Sequence, residues 1–73
     1  MNKVALDEKE DFITLGQLLK YTGTIQMGGE AKWFLMNHEV YVNGEREMRR
    51  GKKLREGDRI KIAKTGEFVI GRQ

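Results

Sequence analysis

The 73-residue sequence has no cysteine and no serine, and its one histidine is His38. Without cysteine, neither a disulfide nor a cysteine-rich zinc site can staple so small a chain, and the apolar residues must hold it together. With serine also missing, the usual pairings of a nucleophile with a base cannot be assembled. No pair of carboxylates lies in a recognisable apolar setting either, so no catalytic residues, no metal site, no cofactor and no small-molecule substrate are expected. Long apolar runs are absent: the longest is residues 33–36, and Asp7 and Glu8 interrupt the N-terminus before a signal-peptide core can form. The expectation is a protein of the cytoplasm with no membrane partner.

Charge is present in quantity and unevenly placed. Residues 1–30 carry three lysines against five acidic residues, a balance of −2, whereas residues 31–73 carry eleven Lys and Arg against six Asp and Glu, a balance of +5. The densest part is residues 46–55, where Arg46, Arg49, Arg50, Lys52, Lys53 and Arg55 face only Glu47. Such asymmetry fits a polyanion partner, and charge alone fits a solvated surface loop equally well.

A chain of this length makes one domain, residues 1–73, with a small core and modest stability. Its organising stretch is residues 28–44. Ala31, Phe34, Leu35 and His38 have helical spacing, Val40 and Val42 alternate as in a strand, and Asn43-Gly44 closes a two-residue hairpin turn. Upstream, Thr14 and Gln17 form a capping box ahead of a short helix over residues 15–21, which ends near Gly23. Leu15, Leu18 and Leu19 of that helix are expected to pack on Ala31, Phe34 and Leu35. The segments 4–6 and 12–14 either pair as a hairpin, the preferred reading, or leave residues 1–12 as a loose arm.

After the Asn-Gly turn, a return strand over residues 45–48 leads into an irregular basic loop, residues 51–56, with Leu54 as its one apolar anchor. Gly57-Asp58 then turns the chain into a strand with Ile60 and Ile62 inward and Arg59 and Lys61 outward. A last strand, residues 67–71, carries Phe68 and Ile70.

Several residues have two readings. His38 closes the second helix, where its ring can cap carbonyls and meet the helix dipole, which is favoured over a catalytic or metal role. Gly28 and Gly29 precede that helix and offer amides to a phosphate, or only permit a sharp turn. Trp33 and Met36 lie off the apolar stripe and are expected to cover the N-terminal hairpin, with base stacking by Trp33 as the other reading. Tyr41, pointing away from Val40 and Val42, is divided in the same way between packing and stacking.

The succession of a short helix over residues 15–23, Glu30-Ala31-Lys32 with Phe34-Leu35, Val40-Tyr41-Val42-Asn43-Gly44, Leu54 and Gly57-Asp58-Arg59-Ile60 resembles the S-four RNA-binding domain, or αL motif. The likeness covers roughly residues 13–63. The run Ala-Lys-Trp-Phe-Leu and the loop Arg-Arg-Gly-Lys-Lys look most like the small stand-alone YaaA-type members. The resemblance implies an α+β fold, with two short packed helices against a small, mostly antiparallel sheet of about four to five strands. It also implies a non-enzymatic module that binds structured RNA, ribosomal or transfer RNA, in a ribosome-associated setting, with weak non-specific binding to duplex DNA. Lys32 and the loop residues 49–53 match basic family positions; with Arg46 and Arg55 they make up the expected RNA-binding set. Met27-Gly28 stands where many members carry a Ser-Arg pair, so that arginine's role does not carry over. The alternative is an adaptor whose basic face meets an acidic protein on a nucleoprotein assembly.

Overall fold

In the computed structural model, which describes residues 2–73, the chain runs β1 (Asn2–Leu6), β2 (Ile13–Thr14), α1 (Leu15–Tyr21), α2 (Ala31–Asn37), β3 (Val40–Val42), β4 (Glu45–Arg46), β5 (Lys53–Leu54), β6 (Arg59–Ile62) and β7 (Gly66–Arg72). A single 3₁₀ turn, Gly28–Glu30, leads into α2. Five strands form the main sheet in the order β1-β7-β6-β3-β4, and β2 pairs with β5 in a separate two-stranded ladder. All the pairings are antiparallel except β1 with β7. This is an α+β fold of the kind the sequence implies.

Strand alternation gives the main sheet one apolar face. Val40, Val42, Ile60, Ile62, Phe68 and Ile70 are buried, while Arg59 and Lys61 between them are exposed. Both helices cover the apolar face, and Leu15, Leu18, Leu19, Ala31 and Leu35 join the same core, with Phe34 half-buried against it. The first helix starts as its capping box requires: the Gln17 amide donates to Thr14 Oγ1 at 3.2 Å, and the Thr14 amide donates to Gln17 Oε1 at 2.8 Å.

The N-terminal hairpin is not formed. Strand β1 runs parallel to β7, with Val4 beside Ile70, and β2 pairs instead with β5. The acidic segment between β1 and β2 is a self-capped turn: the Asp7 carboxylate accepts from the Lys9 and Glu10 amides, and Glu10 Oε1 accepts from the Asp7 amide. Arg72 ties this turn down by donating to the carbonyls of Asp7 and Glu10 at 2.9 and 3.0 Å. Local pattern cannot reveal a strand partner more than sixty residues away, and short sequence separation favoured the wrong pairing.

The turns follow their residue types. Asn43 and Gly44 both have positive φ, 52° and 85°, as a tight hairpin turn needs. The Asn43 side chain also reaches across to the turn before β6: its amide nitrogen donates to Asp58 Oδ1 at 3.0 Å, and its oxygen accepts from the Arg59 amide at 3.0 Å. The other Asp58 oxygen accepts from the Arg55 amide at 2.8 Å. Asn43 thus shapes its own turn and locks it to the next one.

Candidate nucleic-acid interface

Residues 49–55 carry the largest share of the positive charge, and the fold fixes them against the start of α1. The Leu15 amide donates to the Lys52 carbonyl and the Gly16 amide to the Arg50 carbonyl, both at 2.8 Å. These are first-turn amides that a helix leaves unpaired, and here the basic segment supplies their acceptors. Gly16 permits the approach, because a Cβ at that position would lie 3.3 Å from the Arg50 carbonyl oxygen and 3.7 Å from the Ala31 Cβ. The start of α1, the basic segment and the first residue of α2 therefore meet at one point, and Lys32 follows Ala31 on the exposed side of α2.

The ladder between β2 and β5 carries the segment onward, with Leu54 buried opposite Ile13. Phe12, just ahead of β2, lies under two cations: Lys53 Nζ is 5.0 Å and the Arg55 guanidinium carbon 5.4 Å from its ring centroid. The aromatic face orients both side chains on one side of the ladder. In the sequence Phe12 is only one residue of an apolar segment; its place beside the basic loop follows from the pairing of β2 with β5, which no local pattern encodes.

Arg49 is held differently. Its Nε and Nη2 donate to the two Glu47 carboxylate oxygens at 2.9 and 3.1 Å, and the amides of Met48 and Arg49 also donate to Glu47 Oε2. The Glu47 side chain is only 12 % exposed, whereas that of Arg49 is 74 % exposed. The hydrogen bonds from Arg49 hold the Glu47 carboxyl down to about 2, so it stays ionised and spends part of the Arg49 charge. Arg49 and Lys52 share a shallow depression of about 210 Å³ with Asn43 and Glu45.

The family model described as S4 domain matches residues 5–70. The chain belongs to the S4 domain family. A curated relative of this S4 domain protein, the probable ribosome maturation protein RlbA of Bacillus subtilis (strain 168), is 49% identical over 69 residues, covering 94% of each chain. Membership supports a role connected with RNA.

The remaining candidates in this S4 domain separate in space. Arg46 lies opposite Tyr41 on the outer face of the sheet, away from the helices, and so does not join the loop cations. Tyr41 is half-buried there and donates its hydroxyl to Glu39 Oε1 at 2.7 Å; that bond and the Glu39 charge raise the pKa of the phenol and keep it protonated.

Trp33 and Met36 do not cover an N-terminal hairpin. They stand 68% and 53% exposed on α2, because the strand expected beneath them pairs at the far edge of the sheet. The His38 ring does not cap the helix: it stacks on Phe34 with centroids 4.4 Å apart, while the His38 backbone amide closes α2 on the Phe34 carbonyl. Gly28 and Gly29 are exposed in the 3₁₀ turn, where the Glu30 carboxylate accepts from the Met27 amide at 3.0 Å. A carboxylate so placed opposes an incoming phosphate. No group of three or more residues suited to hold a metal ion is present among the described residues.

Proposed function

We propose that this chain is a non-enzymatic RNA-binding module that grips structured RNA, ribosomal or transfer RNA, in the cytoplasm, in association with ribosome maturation. The observation that carries the reading is the mooring of the Arg50 and Lys52 carbonyls on the Gly16 and Leu15 amides of α1, which fixes the backbone of the basic segment, or ridge, close to Ala31, the residue before Lys32. Arg50, Lys52, Lys53, Arg55 and Lys32 contact phosphates, and Arg49 joins them with the guanidinium edge left free by Glu47. A relative named as a ribosome maturation protein supports the setting. With four to six such contacts the log-log salt slope of binding is about −3 to −5. Recognition is by the shape of a folded RNA, and the same charge gives weak binding to duplex DNA. Trp33, beside Lys32, is open for a base to stack on.

Charge reversal at Arg50, Lys52, Lys53 and Arg55 tests the reading. Binding to structured RNA should fall sharply and the salt slope should flatten; binding that survives with an unaltered slope sinks it. The exposed Trp33, Met36, Met27 and Tyr21 favour a second reading, a protein-interaction adaptor on a nucleoprotein assembly. That reading is dropped if nuclease-treated pull-downs lose every partner.

A further inference from the structure

The face of the sheet turned away from the helices is unused by the reading above, and it is not an ordinary solvated face. Strand register places Arg46, Tyr41, Lys61 and Glu67 in one row across β4, β3, β6 and β7. The aromatic ring therefore has a cation on each side, with neighbouring side chains about 5 Å apart. Arg59 stands two residues along β6 on the same face, and Lys3 on β1 shares its row through Val69. Among the described residues, none of these cations lies within ion-pair distance of a carboxylate; the two ion pairs formed are Arg49 with Glu47 and Arg72 with Glu56. Glu39 is engaged by the Tyr41 hydroxyl. A shallow hollow of about 570 Å³ is lined by Tyr41, Arg59 and Lys61 together with the carboxylates Glu39 and Glu67.

We infer that this outer sheet face is a second RNA contact, which takes a single-stranded segment by stacking one base on Tyr41 and holding the adjoining phosphates with Arg59, Lys61 and Arg46. The chemistry requires both parts of the arrangement. An aromatic ring offers a face that any base can stack on, and unpaired cations about one strand spacing away neutralise the phosphates that enter with it. A folded duplex presents no open base to Tyr41, so the occupant is a loop, tail or junction strand. The inference rests on the RNA-binding reading for its biological setting, but it uses residues on the opposite side of the sheet from α1 and α2. An RNA held on the basic ridge can extend an unpaired strand around the β3–β4 edge onto this face.

The test measures binding of the full chain to three labelled RNAs at about 0.15 M salt, where charges beyond about 8 Å are screened: a hairpin, the same hairpin with an unpaired tail of eight uridines, and the octauridine alone. The variants are Tyr41→Leu, which keeps a strand-compatible apolar side chain, and the pair Arg59→Gln with Lys61→Gln, which removes two cations without adding negative charge, each checked for an unchanged melting temperature. The tail should tighten wild-type binding at least about fivefold, the lower end of what one stacked base contributes. Tyr41→Leu and the Arg59/Lys61 pair should abolish that gain and leave hairpin binding within twofold of wild type. A tail that adds nothing, or a gain that persists in both variants, overturns the inference and leaves a solvated face. Failure of the hairpin to bind while octauridine binds through Tyr41 would overturn the ridge reading and sustain this one; binding of neither RNA overturns both.

Discussion

At the scale of single residues, two positions decide how the basic ridge is held. Glu47 is a nearly buried carboxylate that accepts four hydrogen bonds, two of them from the Arg49 guanidinium. Its pKa is lowered from 4.5 to about 2, chiefly by those Arg49 bonds, so its contribution to stability is complete above about pH 4.5 and is lost as the pH falls through 2. Glu47→Gln should therefore melt at a lower temperature than wild type at pH 7. In thermal melts across pH 2–7 the gap should close on the acid side. Gly16 is the second position. Its Cβ would press on the Arg50 carbonyl, which the Gly16 amide itself holds at 2.8 Å. The better helix propensity of alanine offsets some of that crowding, by about 1 kcal/mol. Gly16→Val has no such compensation; it should cost about 1–3 kcal/mol in denaturant unfolding and loosen RNA binding by pushing residues 50–52 off α1.

At the scale of elements, the hairpin turn and the turn before β6 form one unit. Asn43 contributes both a positive φ and two side-chain hydrogen bonds to Asp58 and Arg59, and these contributions can be separated. Asn43→Gly keeps the backbone conformation and loses the bonds, at a cost of about 1–2 kcal/mol. Asn43→Ala loses both, and urea unfolding should show a larger loss. Strand β1 gives the other prediction of this scale. It is one of the two edge strands of the main sheet, and Leu6 is fully buried in the core. Leu6→Ala should cost about 2–5 kcal/mol, a large part of the stability of so small a domain, as measured by the shift in denaturation midpoint. Were residues 1–12 a loose arm, the same change would be nearly silent.

At the scale of the whole molecule, the two-layer build divides the cations between two surfaces. One is the ridge against the helix starts and the other the outer face of the sheet, with the apolar core between them. Sequence distance gives no hint of this division: Arg46 and Arg49 are neighbours in the chain, yet one lies opposite Tyr41 and the other is bound to Glu47. Reversing charge on the ridge should therefore change the salt slope for hairpin RNA, while neutralising Arg59 and Lys61 should leave it unchanged at about 0.15 M salt.

What the sequence alone determined were the features encoded within a few residues. The Thr14–Gln17 capping box set the start of α1, the apolar spacing set α2, the alternation at Val40–Val42 and Arg59–Ile62 set which side of the sheet is buried, and Asn43-Gly44 set the turn. Each rests on local backbone geometry or on a helix or strand period, so neighbouring residues suffice to specify it. The tertiary structure decided which distant segments meet: β1 with β7, β2 with the basic segment, and Phe12 under Lys53 and Arg55. The strand pairings depend on how the sheet closes over the helices as a whole. They are made by the joint burial of Val4, Leu6, Leu54 and Ile70 in one core, which no short window of sequence contains.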